Sequence, residues 1–174
     1  MDAMNREVLF SKDVIDRRVR ELAEEISRDY AGKELVVVGI LKGAFVFMAD
    51  LIRFLKIPCQ IDFAQLASYG SRTASSGKVV IGKDIDLSIA GRDVLVVEDI
   101  VDTGLTLSYF VETLKQRNPC SLKVCVFLDK KVRRKVPFMA DYTGFVIDDG
   151  FVVGYGLDFN EQCRYLPDVC LIKE

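Results

Sequence analysis

Histidine and tryptophan are both missing from the 174 residues, and only four prolines occur. Without histidine there is no imidazole to carry a proton near neutral pH and none to ligate a metal. A general base must then be Asp, Glu, Lys, Tyr or Cys. Positive charge is not in excess either. Lys and Arg number 24 against 26 Asp and Glu, a formal net charge of −2 with a pI of about 5.3. That balance argues against a whole surface built to bind nucleic acid, so an anionic ligand has to be met by local donors. No apolar run approaches the roughly 20 residues that span a bilayer. Acidic residues and Arg6 interrupt any signal-peptide core near the start. A cytoplasmic protein with no membrane and no nucleic-acid partner is expected.

Disulfides and zinc are disfavoured by the cysteines themselves. Cys59, Cys120, Cys125, Cys163 and Cys170 are odd in number and scattered in spacing, which fits neither a disulfide framework nor a metal knuckle. Several sit in apolar runs, where a free thiol behaves as a small hydrophobe. Reduced cysteines follow. Repeats and low-complexity tracts are also missing.

What is present is apolar material in alternating patterns. Half of the residues are hydrophobic, enough for one domain with a substantial core. Ile15, Val19, Leu22 and Ile26 share one helical face over 13–30, with Gly32 as a stop. A strand is predicted near 34–41 and a helix over 43–55, closed before Pro58. Further strands are predicted near 60–66 and 79–82, with the polar stretch YGSRTASSGK between them as a loop. A strand at 94–97, a helix beyond it, and strands at 121–129, 145–147 and 169–172 complete the series. Alternation of this kind predicts an α/β fold with a mainly parallel sheet.

The densest chemistry lies in VLVVEDIVDTGLT, from Val94 to Thr106. The apolar run reads as a strand buried on both faces. Leu107, Phe110, Val111 and Leu114 follow at helical spacing. Glu98, Asp99, Asp102, Thr103, Gly104 and Thr106 therefore lie between a strand's end and a helix's start, where open parallel sheets bind ligands. Free N–H groups at a helix start, a close-approaching Gly104 and two threonine hydroxyls can cradle a phosphate. Glu98 and Asp99 would repel that phosphate unless sugar hydroxyls or Mg²⁺ stood between. The plain alternative is a polar turn with a cap at Asp102 or Thr103, worth about 1 kcal/mol.

This segment resembles the phosphoribosyl-diphosphate (PRPP) signature of the type I phosphoribosyltransferases. Leu41-Lys42-Gly43 is similar to the family's pyrophosphate loop, and Ser68-Tyr69 to the start of its mobile lid over about 68–78. Lys130 after KVCVFLD, then Phe151-Val152-Val153-Gly154-Tyr155-Gly156-Leu157-Asp158 and Arg164, resemble the hypoxanthine-guanine branch. The matches run in order along nearly the whole chain. The resemblance implies one domain over 1–174 with a mainly parallel sheet of about five strands flanked by helices. It adds a small hood built from the chain ends.

The activity so implied is purine salvage. The phosphoribosyl group passes from PRPP to hypoxanthine or guanine, giving IMP or GMP and pyrophosphate, with Mg²⁺ as cofactor. The family pattern gives the ribose-phosphate site to Glu98, Asp99, Asp102, Thr103, Gly104, Leu105 and Thr106. Leu105 stands where some relatives carry a basic residue. Lys130, Phe151, Val152, Leu157 and Asp158 fall to the purine, and Lys42, Gly43 and Arg164 to pyrophosphate. Glu98, Asp99 and Asp158 are the implied metal ligands, and Asp102 the general base. A charged Lys130 has donors only, so it favours a 6-oxo over a 6-amino purine. Lys131, Arg133, Arg134 and Lys135 read as a solvated face. The ranking of hypoxanthine, guanine and xanthine stays open, as does the geometry of the Leu41-Lys42 peptide. A homodimer or homotetramer is implied. A non-catalytic regulator of the same fold that senses PRPP or nucleotides is the alternative. It would have less need of Asp102, Lys130 and Phe151 together. A P-loop reading fails because no G-x-x-x-x-G-K-[ST] occurs.

Overall fold

The computed structural model describes residues 6–71 and 74–173, with backbone alone for 68–71 and 74–78. Its elements are β1 (Arg6–Phe10), α1 (Lys12–Asp29), β2 (Leu35–Leu41), α2 (Phe45–Phe54), β3 (Cys59–Ser71) and β4 (Ala74–Lys83). Then come β5 (Asp93–Val101), α3 (Leu105–Lys115), β6 (Ser121–Lys130), β7 (Tyr142–Ile147), β8 (Phe151–Val153) and β9 (Val169–Ile172).

The central sheet runs β4-β3-β2-β5-β6-β7. Five of these strands are parallel, and β4 joins the edge antiparallel. Both sheet faces are covered, because β2 and β5 are apolar at successive positions and not at alternate ones. Leu35, Val37, Leu95 and Val97 meet α1 and α2 on one side through Val19, Leu22, Phe47 and Leu51. Val36, Val38, Val94 and Val96 meet α3 on the other through Leu107, Phe110 and Leu114. Three layers result, with the sheet in the middle.

The chain ends build a second, antiparallel sheet in the order β1-β9-β8. Arg6 pairs with Ile172 and Phe151 pairs with the same Ile172 from the other side. Local pattern alone does not mark β1: its residues are mostly exposed, and strands held by their ladder need no apolar face.

The stretch 69–78, predicted as a loop, is largely strand. Ser68 pairs with Val79, Tyr69 with Lys78, and Ser71 with Ala74, with a register shift after Tyr69. Polar composition hides such a hairpin because its backbone groups satisfy one another. Residues 72 and 73 lie outside the described residues. Elsewhere the predicted boundaries hold to within a few residues: α1 starts one residue early, and α2 starts at Phe45 and not at Gly43.

Phe127 ties the layers to the hood. Its ring centroid lies 5.2 Å from Phe47, 5.7 Å from Phe145 and 4.9 Å from Tyr155. Phe127→Ala is expected to cost about 3–5 kcal/mol, the usual range for emptying a buried aromatic site. The measurement is the shift in urea midpoint; a shift under about 1 kcal/mol would mean that the neighbours collapse into the space.

Candidate active site

Strand order creates the cleft. β2 is hydrogen-bonded to β3 on one side and to β5 on the other. The chain turns outward from β2 to β3, and outward the opposite way from β5 to β6. Connections leaving the carboxyl ends of β2 and β5 therefore diverge and leave a crevice. The segment after β2 carries Lys42 and Gly43; the end of β5 carries the acids. They touch: a Cβ added to Gly43 would stand 1.6 Å from Asp99 Oδ2. Only glycine fits there.

Glu98 and Asp99 belong to the last part of β5, earlier than the turn predicted for them. The Asp99 N–H donates to Glu98 Oε1 at 3.0 Å, and the Ile100 N–H donates to Asp99 Oδ1 at 2.7 Å. Burial pushes the Glu98 carboxyl well above its usual range, and the neighbouring Asp99 charge adds to this. Burial also raises Asp99, against the pull of hydrogen bonds and of the Arg164 charge. An acid raised in the folded state holds its proton more tightly there than in the unfolded chain. Stability therefore falls as pH rises from the ordinary carboxylate value toward the raised one. Two acids are held ready for a partner that brings positive charge or hydroxyl donors.

The turn beyond them opens α3. Gly104 caps the helix with left-handed backbone, φ 80°, and no side chain supplies a capping bond. Asp102 is thus released from the capping role that a plain turn would give it, and Thr103 keeps only a long contact to the first helical N–H. The Leu105 N–H reaches Thr103 Oγ1 at 3.4 Å, and the first helical bond runs from Ser108 N–H to Gly104 O at 2.9 Å. A cavity of about 240 Å³ lies here, lined by Glu98, Asp99, Asp102, Thr103, Gly104 and Thr106 among others. Leu105, named with these residues from the sequence, is not part of the lining. Asp102 Oδ1 is buried with no hydrogen-bond partner among the described residues, while Oδ2 lies 3.6 Å from Arg133 Nη1.

Arg134 departs from the solvated face predicted for it. Its guanidinium is largely buried, pairs with the buried Asp129 carboxylate and donates to Phe138 O. Its Nε donates to Asp102 O at 3.0 Å, and the Lys135 N–H donates to Thr103 O at 2.9 Å. The basic stretch therefore clamps the outer side of the turn. The overlooked signal was Asp129, an acid closing an apolar strand, since a buried charge needs a counterion.

A second cavity, of about 260 Å³, adjoins the first. Asp99, Ile100 and Asp102 line both. Its other walls include Lys130, Phe151, Val152, Leu157 and Asp158. Lys130 is the last residue of β6 and is only 7% exposed. Its Nζ donates to Gly150 O at 2.9 Å and pairs with Asp149 Oδ1 at 2.8 Å. Phe151 is 51% exposed and stands edge-on to Phe159 at 5.6 Å. An aromatic face left open on a cavity wall is a platform for a flat ring rather than core packing.

Lys42, Gly43 and Arg164 form a third group beside the acids. The Leu41-Lys42 peptide is cis. A Cβ on Gly156, whose φ is 99°, would stand 2.2 Å from Gly43 O. Arg164 Nη1 donates to Gly156 O at 2.8 Å, and Nη2 pairs with Asp158 Oδ1 at 2.9 Å. Neither Lys42 nor Arg164 lines the two cavities above. Ser68 and Tyr69 sit in β3, at the hairpin.

Among the described residues, no group of three or more His, Cys, Asp and Glu converges to cage a metal. Asp158 is paired with Arg164 and lines the second cavity together with Asp99. Mg²⁺ takes one or two carboxylates and fills its shell with substrate oxygens and water, which this donor set fits. Among the described residues no helix is long and apolar enough to cross a membrane.

Removing one of the buried acids is expected to stabilise the fold. Glu98→Gln is expected to raise the urea midpoint at pH 7, with the gain shrinking as pH falls toward 4.5. A variant equally destabilised at both pH values would overturn the crowding argument.

Comparison with known proteins follows the same outline. The family profile described as the phosphoribosyl transferase domain matches residues 9–160. The hypoxanthine-guanine phosphoribosyltransferase of Aquifex aeolicus is 49% identical over 168 residues, covering 96% of this chain and 94% of the relative. The enzyme of the same description from Dictyostelium discoideum is 49% identical over 175 residues, covering 98% and 97%. A crystal structure of a hypoxanthine-guanine phosphoribosyltransferase from Bacillus anthracis superposes with a TM-score of 0.92 at 47% identity, over 96% of this chain and 98% of that one. With its crevice between β2 and β5, its acid pair and its two joined cavities, the chain belongs to the phosphoribosyltransferase family, in the hypoxanthine-guanine branch.

Proposed function

We propose that this protein is a purine salvage enzyme that transfers the 5-phosphoribosyl group of PRPP to hypoxanthine or guanine. The observation that carries the reading is the shared wall of the two cavities. One takes a phosphorylated sugar and the other a flat base, and Asp102 borders both. A base nitrogen in the second cavity then faces the anomeric carbon of a sugar in the first.

Binding begins at the turn. The N–H groups of Gly104, Leu105 and Thr106, with the Thr103 and Thr106 hydroxyls, hold the 5′-phosphate at the start of α3. Glu98 and Asp99 accept hydrogen bonds from the ribose hydroxyls. Mg²⁺ arriving on substrate oxygens would meet the same two carboxylates, with Asp158 on the far side, and would neutralise charge on the diphosphate. Lys42, Gly43 and Arg164 receive the leaving pyrophosphate, Arg164 through its planar donor fork.

The base stacks on Phe151, and Lys130 donates to its 6-oxo group. Gly150 O and Asp149 already hold the Lys130 ammonium in place, so a 6-amino group would add a donor facing a donor. Val152 and Leu157 close the edge. Breaking of the bond to pyrophosphate runs ahead of bond formation, as at other glycosidic carbons, and leaves positive charge on the sugar. Asp102 takes the purine N7 proton. Its unpartnered Oδ1 supports that role, because a carboxylate oxygen without a donor is free to accept one. The β3–β4 hairpin, from Ser68 and Tyr69 onward, closes as a lid and shields that charge from water. The enzyme works in the cytoplasm as a homodimer or homotetramer.

Steady-state rates with PRPP, Mg²⁺ and each purine base test the reading. IMP and GMP are expected, with adenine unused; failure to release pyrophosphate with any base would sink it. Asp102→Asn is expected to lower kcat by about 10²–10⁴-fold, the usual weight of a general base, while GMP binding changes far less. Equal losses in turnover and binding would remove the base role.

A further inference from the structure

Both cations assigned to pyrophosphate already hold an anion supplied by the chain. Glu161 Oε2 accepts a hydrogen bond from Lys42 Nζ at 2.9 Å and lies 3.4 Å from Arg164 Nη2. Lys42 follows β2 and Arg164 precedes β9, so this one carboxylate bridges the two walls of the leaving-group site. Its own loop is fixed at the base: the Glu161 N–H donates to Asp158 Oδ2 at 2.8 Å. Asn160 and Glu161 adopt left-handed backbone, φ 49° and 63°, a conformation uncommon for residues with side chains.

Three further features say that this contact is made to be exchanged. Glu161 and Lys42 are both more than half exposed, and a solvated ion pair is readily replaced. Arg164 Nε is buried without a hydrogen-bond partner among the described residues, so the guanidinium is not fully satisfied by its present partners. The Lys42 hydrogen bond, with the Arg164 charge, keeps Glu161 below its usual carboxylate range and therefore anionic at neutral pH.

We propose that Glu161 is a resident surrogate for the leaving group: a positioning residue that occupies Lys42 and Arg164 in the empty site, yields them to pyrophosphate, and reclaims them when pyrophosphate departs. The idea rests on the pyrophosphate role given above to those two cations. Glu161 thereby keeps two positive side chains aligned without a ligand. It also competes with the product, so it weakens pyrophosphate binding and speeds release.

Pyrophosphate binding with Mg²⁺, measured by calorimetry and by product inhibition of GMP formation, tests this in the whole enzyme. Glu161→Gln is expected to tighten pyrophosphate binding by about fivefold at low salt, the scale of one exposed ion pair. The gain should shrink as ionic strength rises, and kcat should fall with little change in the KM for guanine. Glu161→Asp, which keeps the charge, should return both values toward wild type. Pyrophosphate binding in Glu161→Gln that is unchanged or weaker would overturn the proposal, as would an Asp variant that behaves like the Gln variant. A wild-type protein that binds no pyrophosphate at all would instead overturn the functional reading beneath it.

Discussion

Two carboxylates that repel one another are held side by side at the rim of an apolar sheet, and the rest of the molecule is arranged around that discomfort. Glu98 and Asp99 are neighbours in the chain, and Glu98 is held in the ladder opposite Val126 of β6, one residue beyond the last β2 pair at Val97. The Asp99 carboxylate occupies the space that the missing side chain of Gly43 leaves. Such crowding is tolerated because the sheet beneath is covered on both faces by helices. A group that meets this pair has to bring positive charge or hydrogen-bond donors.

The other functional groups can be seen as neighbours of that pair. Arg134, reaching from beyond β6, holds the Asp102 carbonyl from outside. The hood brings Phe151, Leu157 and Asp158 over the second cavity. Gly156 presses against Gly43, which presses against Asp99, so a continuous line of close contact joins the hood, the turn after β2 and the acids. Close packing leaves little slack along such a line.

Much of this was legible in the amino-acid sequence, for identifiable reasons. The apolar strands 35–41 and 93–101 and the face of α1 carry strong periodic patterns, and their positions follow directly. The acid and threonine turn is read from local chemistry, since its acids, hydroxyls and glycine are concentrated in a few adjacent residues. Three features were hidden. The hairpin over 68–79 is polar, and its strands are held by backbone pairing, which leaves no hydrophobic signature. Arg134 lies in a basic run that resembles solvent-facing charge, and its partner Asp129 is close only because the loop folds back. Lys42 and Glu161 are separated by most of the chain, and no local rule brings them together.

The hood has a consequence for how the molecule comes into being. Its middle strand, β9, is contributed by residues 169–172, and it is flanked by β1 from the opposite end of the polypeptide and by β8. The layered sheet can assemble from segments that neighbour one another along the chain, but this second sheet closes only once residues 169–172 have been made. The cavity at the end of β5 is built from residues 98–107 and so takes shape before the wall that β8 gives the second cavity. The second cavity is finished last, by the strand that stitches β1 to β8.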